Sequence, residues 1–123
     1  MKVGEKIWHC KRTPKKNAGY SIFELPQEYT TRFGYITVQP SGSSYSELAE
    51  YGEEVKNYRT AIAQPYEKWN GVFDEGDRAY LDGKIPSEED LEDMYAENAN
   101  YIVDSVQPQN KAIRIIFKKR TAE

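Results

Sequence analysis

The sequence predicts a mainly β domain: six or so short strands, long loops and one short surface helix at about residues 87–97, the strands closed or nearly closed into a small barrel. Three observations lead there. Ten tyrosines and an aromatic fraction of 13% suit strands and half-wet surfaces, because one end of the ring is apolar and the other hydrogen-bonds. Short runs of alternating apolar and polar residues recur, each stopped by proline or glycine. The C-terminal stretch NYIVDSVQPQNKAIRIIFKK reads as two strands around a turn.

The strands follow in order. Residues 7–12 alternate Trp8 and Cys10 on one side with Ile7 and His9 on the other. TPKKNAG, 13–19, reads as a loop. YSIFEL, 20–25, is a strand stopped by Pro26. RFGYITVQ, 32–39, alternates Phe33, Tyr35 and Thr37 against Gly34, Ile36 and Val38 and stops at Pro40. SELAEY, 46–51, has Ser46 as an N-cap and Gly52 as a stop for a turn or two of helix. NYRTAIAQ, 57–64, and RAYLD, 78–82, are strands. SEEDLEDMYAENA, 87–99, carries a Ser87–Asp90 capping box and an apolar stripe of Leu91, Met94 and Tyr95. In the last strand Ile113, Ile115 and Phe117 share a face, and the loop before it, PQNK, has about four residues. A barrel disposes of the exposed strand edges. The 123 residues form one domain, with 1–30 as an N-terminal segment holding the first strands.

A single cysteine, Cys10, leaves no internal disulfide. The short apolar runs and the absence of a leader-like N-terminus predict a soluble protein retained in the cell that makes it, with no membrane partner. Charge is uneven around a net of -3. Lys2, Lys6, Lys11, Arg12, Lys15 and Lys16 crowd the start. Lys111, Arg114, Lys118, Lys119 and Arg120 crowd the end. Glu88, Glu89, Asp90, Glu92, Asp93 and Glu97 make residues 87–97 acidic. Such asymmetry steers subunits together or meets nucleic acid, and it is also what a solvated surface carries.

The most chemical stretch is FDEGDRAYLDG, residues 73–83. It fails as a calcium loop: Asp74, Glu75 and Asp77 have the wrong offsets, and the twelfth residue from Asp74 is Ile85 where a bidentate Glu is needed. Nothing singles out a carboxylate pair for hydrolysis. It reads instead as a turn at Glu75–Gly76 that launches a strand at Asp77. His9 and Cys10 are neighbours on a strand and point to opposite faces, so they are no local pair, and His9 reads as a surface or edge residue. A zinc site needs more Cys and His than the chain has, and PSGSS lacks the spacing of a phosphate loop. No metal, cofactor or catalytic residue is expected. Stacking rings beside Lys and Arg fit a single-stranded nucleic-acid-binding barrel, while the negative net charge opposes it.

The order of motifs is more specific than any one of them. Tyr51–Gly52 precedes NYRTAI (57–62), EGDRAYL (75–81) follows, and the hairpin of 100–119 ends the chain. Over residues 33–119 this order resembles the head-closure, or stopper, proteins of long-tailed bacteriophages and prophages, also called head–tail adaptors. The resemblance implies a small β-barrel and no enzyme. It would sit in the virion as a ring below the portal and adaptor, retain packaged double-stranded DNA and join head to tail. Its partners would be copies of itself, portal and adaptor proteins, tail proteins and the DNA in the channel. In that family a loop between early strands projects into the channel. Here the loop most like it contains Gln39, Ser41, Gly42, Ser43, Ser44 and Tyr45. Basic and acidic faces for ring contacts would come from Lys11, Arg12, Lys15, Lys16, Lys118 and Lys119 against Glu88, Glu89 and Asp90, unless these charges face DNA or solvent. The alternatives are the single-stranded nucleic-acid-binding barrel and a neighbouring tail-completion protein, in which more helix would pack on the sheet.

Overall fold

The computed structural model describes residues 4–17, 19–32, 34–40 and 57–120. Its strands are β1 (Lys6–Cys10), β2 (Arg12–Asn17), β3 (Tyr20–Phe23), β4 (Gln27–Thr30), β5 (Ile36–Pro40), β6 (Tyr58–Ala63), β7 (Arg78–Tyr80), β8 (Tyr101–Gln109) and β9 (Ala112–Lys119). A single helical turn, α1 (Tyr66–Trp69), and a 3-10 turn at Asp90–Glu92 are the helical elements among them. Seven strands form one antiparallel sheet in the order β4-β1-β7-β8-β9-β6-β5, and β2 pairs only with β3. The mainly β class predicted from the sequence is the one observed.

The β9 pattern sets the centre of the sheet. Ile113, Ile115 and Phe117 enter one core cluster, as their alternation predicts. Small partners face the large ones: Ala63 lies opposite Ile113 and Ala61 opposite Ile115, while Val103 of β8 faces Phe117. Large against small keeps the layer densely filled. The same cluster takes Ile7 from β1 and Ile36 and Val38 from β5. These come from opposite ends of the sheet, so the sheet curls around a single core.

The ladder itself stays open, with β4 and β5 at its ends. Among the described residues the pairing between these two ends is one bridge, Arg32↔Ile36. Aromatic rings fill the seam. Trp69 of α1 is buried and meets Tyr29 of β4 edge-on at 5.1 Å and Tyr35, just before β5, at 4.9 Å. Its indole N–H donates to Gln64 O at 3.0 Å, which satisfies its polar atom inside the protein. The expected barrel is thus a curled sheet sealed by side chains.

The outer face of β1 and β7 carries a second layer. Trp8, Cys10 and Tyr80 pack there with Phe23 of β3 and with Ala96 and Ala99. Backbone bonds hold the layer in register, from Phe23 N to Met94 O (2.7 Å) and from Glu24 N to Lys11 O (2.7 Å).

Four sequence expectations are corrected. The helix at 87–97 shrinks to the 3-10 turn. Its capping box forms, with Asp90 N bonded to Ser87 Oγ and Ser87 N to Asp90 Oδ2. Asp93 then stops propagation, because its carboxylate takes the N–H groups of Tyr95 and Glu97 that a helix would use. Residues 12–17 are strand, not loop. Pro14 is accommodated because the β2–β3 pairing is irregular between Arg12 and Lys16. QEYT, unassigned from the sequence, is the edge strand β4. The last hairpin has a two-residue loop, Asn110–Lys111, and Pro108 lies inside β8. The helix expected at 46–51 falls outside the described residues.

Trp69→Ala removes the ring that spans the seam. It should cost about 3–5 kcal/mol in urea denaturation, the range for a buried tryptophan. A loss below about 1 kcal/mol would show that the seam is held by something else.

Candidate functional site

The acidic stretch of residues 73–83 is where chemistry was sought, and each of its aspartates has a partner within the chain. Asp77 is completely buried just ahead of β7. Its Oδ2 accepts from His9 Nε2 at 2.7 Å and from Asp74 N at 2.9 Å, and its Oδ1 accepts from Arg12 N at 2.8 Å. A carboxylate only accepts, so the His9 ring hydrogen sits on Nε2. Asp74 receives Lys11 Nζ at 2.5 Å. The same ammonium also donates to Gly71 O and Val72 O. Asp82 takes Arg59 Nε at 3.1 Å and the Tyr101 hydroxyl at 2.5 Å.

The local sequence explains the geometry. Asp77 N donates to Asp74 O, and the turn between them needs Gly76 at φ +91. A Cβ on Gly76 would also stand 3.0 Å from the Arg12 guanidinium. The expected turn at Glu75–Gly76 is seen, and the strand starts at Arg78, one residue after the Asp77 start expected from the sequence. His9 is a correction: it is 4% exposed, not a surface residue. It shares the inward face of β1 with Ile7 and lies 4.3 Å from the Phe73 ring. The alternation at residues 7–10 held that signal, since the face of Ile7 is the core face.

A buried His–Asp pair resembles half of a hydrolase triad. The depression beside it is walled by Lys11, Glu24, Leu25, Gln27, Tyr29, Gly71 and Val72. Among the described residues that wall presents no serine, threonine or cysteine for the imidazole to activate. Cys10 lies on the opposite face, fully buried, and burial pushes its thiol up to about 12, with Asp93 adding to the rise. Such a thiol is a poor nucleophile. Among the described residues, no group of three or more His, Cys, Asp or Glu side chains is placed to hold a metal ion. No helix among them is long and apolar enough to cross a membrane.

The other candidate residues are scattered. Gln39 is exposed near the end of β5, and Ser41, Gly42, Ser43, Ser44 and Tyr45 lie outside the described residues. Arg12, Glu88, Glu89, Lys118 and Lys119 are exposed, and Lys15 and Lys16 lie in β2. Lys11 and Asp90 are engaged within the domain. Asp90 accepts from Asn98 Nδ2 at 2.7 Å and from Ser87 N at 3.0 Å, and these bonds, Asn98 first, draw its carboxyl below the usual range. The structure does not gather these charges into one site. The chain matches no family model, no curated protein and no solved structure.

Asp77→Ala leaves the donors of His9, Arg12 and Asp74 facing a gap. A loss of about 3 kcal/mol or more is expected from chemical denaturation, since each buried donor left unmet costs about 1–3 kcal/mol; an unchanged midpoint would remove Asp77 from the centre of the fold. Alkaline stability tests the buried acids. Cys10, Tyr29, Tyr80 and Tyr101 all have raised values, chiefly through burial. Each such group stabilises fully below its unfolded value, and that contribution drains away as pH climbs toward its folded value. Stability should fall from about pH 9 upward, and Cys10→Ala should remove the first part of that fall. A flat profile to pH 11 in the wild-type chain would contradict the burial of these groups.

Proposed function

We propose that this chain is a structural connector protein, a head-closure or stopper subunit. It forms a ring with copies of itself below a phage portal and adaptor, retains packaged DNA and presents a surface to the tail. One observation carries the reading. Of the segments on which the resemblance rests, 57–62, 75–81 and 100–119 form four strands adjacent in space, in the order β7-β8-β9-β6, and Tyr51–Gly52 lies outside the described residues. Their motif residues also lock to one another. Asn100 bonds both the N–H and the C=O of Leu81, at 2.9 Å each, and Tyr101 bonds Asp82. These positions act as fasteners of a scaffold.

The engagement of the chemical-looking side chains supports the same reading. Asp74, Asp77, Asp82, His9 and Lys11 hold turns and strands together, so no reaction is assigned to them. The virion is the location this function implies.

The test pairs assembly with binding. The purified chain should co-sediment with a portal–adaptor complex encoded beside it, and should not shift free DNA in a gel at about 150 mM salt. Tight, salt-sensitive DNA binding by the isolated chain, without co-sedimentation, would sink the connector reading in favour of a single-stranded nucleic-acid-binding barrel.

A further inference from the structure

A cleft of about 760 Å³ opens between the β2–β3 hairpin and the end of β9. Its walls include Tyr20, Phe23, Arg78, Tyr95, Glu97 and Arg120. We propose that it is a docking site for a protein partner, and that it receives an acidic side chain flanked by apolar residues.

The two arginines are the first reason. Arg78 lies over the Phe23 ring, 4.9 Å from its centroid, and donates to Ala96 O at 3.3 Å. Arg120 donates to the carbonyls of Ala96, Glu97 and Ala99 at 3.2, 3.0 and 2.8 Å. Among the described residues neither guanidinium has a carboxylate within ion-pair distance. Arg78 Nε is buried without a hydrogen-bond partner. Burial first, and Arg120 second, disfavour the charge of Arg78. Two like charges share a wall, and a carboxylate entering the cleft would relieve the repulsion.

The tyrosines are the second reason. Tyr20 is 69% exposed, although Phe23 of the same hairpin is buried in the outer layer, and the Tyr20 ring stands edge-on to Tyr95 at 6.4 Å. Tyrosine and arginine are the side chains that dominate protein interfaces, since they combine large apolar area with a polar end.

Charge decides between a protein and a nucleic acid. Tyr95 and Glu97 belong to the acidic segment, with Glu88, Glu89 and Glu92 exposed nearby in sequence, and the chain is net negative. A strand of phosphates leaving the cleft would meet that segment, whereas a single carboxylate with apolar neighbours would not. The site goes beyond the connector reading and rests on the cleft alone.

Calorimetry at about 50 mM salt tests it with an acetylated, amidated serine-rich hexapeptide that holds one glutamate flanked by two leucines, against its glutamine counterpart. The glutamate peptide should bind about tenfold tighter or more. Tyr20→Ala, a surface change that should leave the melting temperature in place, should weaken it, and Arg120→Gln should abolish the preference for glutamate. Equal binding of the two peptides, no binding of either, or affinity untouched by both substitutions would overturn the proposal. So would a thymidine oligonucleotide that displaces the peptide at lower concentration, which would make the cleft a nucleic-acid site. Dimerisation of the chain that Tyr20→Ala abolishes would likewise overturn it, by giving the cleft to a second copy. None of these outcomes bears on co-sedimentation with a portal complex, so the two readings fail separately.

Discussion

The buried carboxylate of Asp77 is the constraint on which the rest of the molecule depends. An ionised group in a dry site costs several kcal/mol unless its lone pairs are met. Here three donors meet them, one from β1, one from the chain entering β2 and one from the turn before β7. These segments come from distant parts of the sequence, with His9 and Asp77 separated by 68 positions. The junction also stands where the two layers divide. His9 faces the main core, while Cys10, the next residue, faces the outer layer. Fixing one carboxylate therefore fixes the β1–β7 register and the point at which the hairpin leaves the sheet.

Much of this architecture was legible in the sequence, and the failures have identifiable physics. The last strand was readable because its alternation is strict and its two faces differ sharply in polarity. RAYLD was readable because a glycine turn precedes it. The strand β2 was hidden by Pro14 and by a run of lysines, since its only partner is another short strand and propensity counts for little there. The 87–97 helix failed because a good cap says nothing about propagation. Asp93, nine residues from the nearest base, Lys84, found better use for its carboxylate in a turn. The importance of Asp77 and His9 was half visible. The alternation put His9 beside Ile7, but only three-dimensional proximity shows that an acceptor, Asp77, waits for it 68 positions further on.

The tyrosines show the same division between what composition tells and what it leaves out. Their number predicted a β domain with surface to spare. The fold sorts them into different trades. Tyr80 and Tyr101 are fully enclosed, and their hydroxyls differ: that of Tyr101 reaches Asp82, while that of Tyr80 has no hydrogen-bond partner among the described residues. Tyr29 and Tyr35 stand against Trp69 at the seam. Tyr20 stands in the open. No count of rings distinguishes these roles, because each depends on which strand lies opposite. The cationic residues divide similarly, Lys11 inward to a turn and Lys118 and Lys119 outward.

The seam gives the molecule a mechanical grain. Pulling β8 against β9, or β9 against β6, loads many ladder hydrogen bonds in shear at once. Among the described residues, prising the β4 edge from the β5 edge loads one bridge, Arg32↔Ile36, and a stack of rings, which let go one after another. A load applied around the circumference of the curled sheet would therefore be borne unevenly, with the central strands moving as one plate and the yielding line running past Trp69.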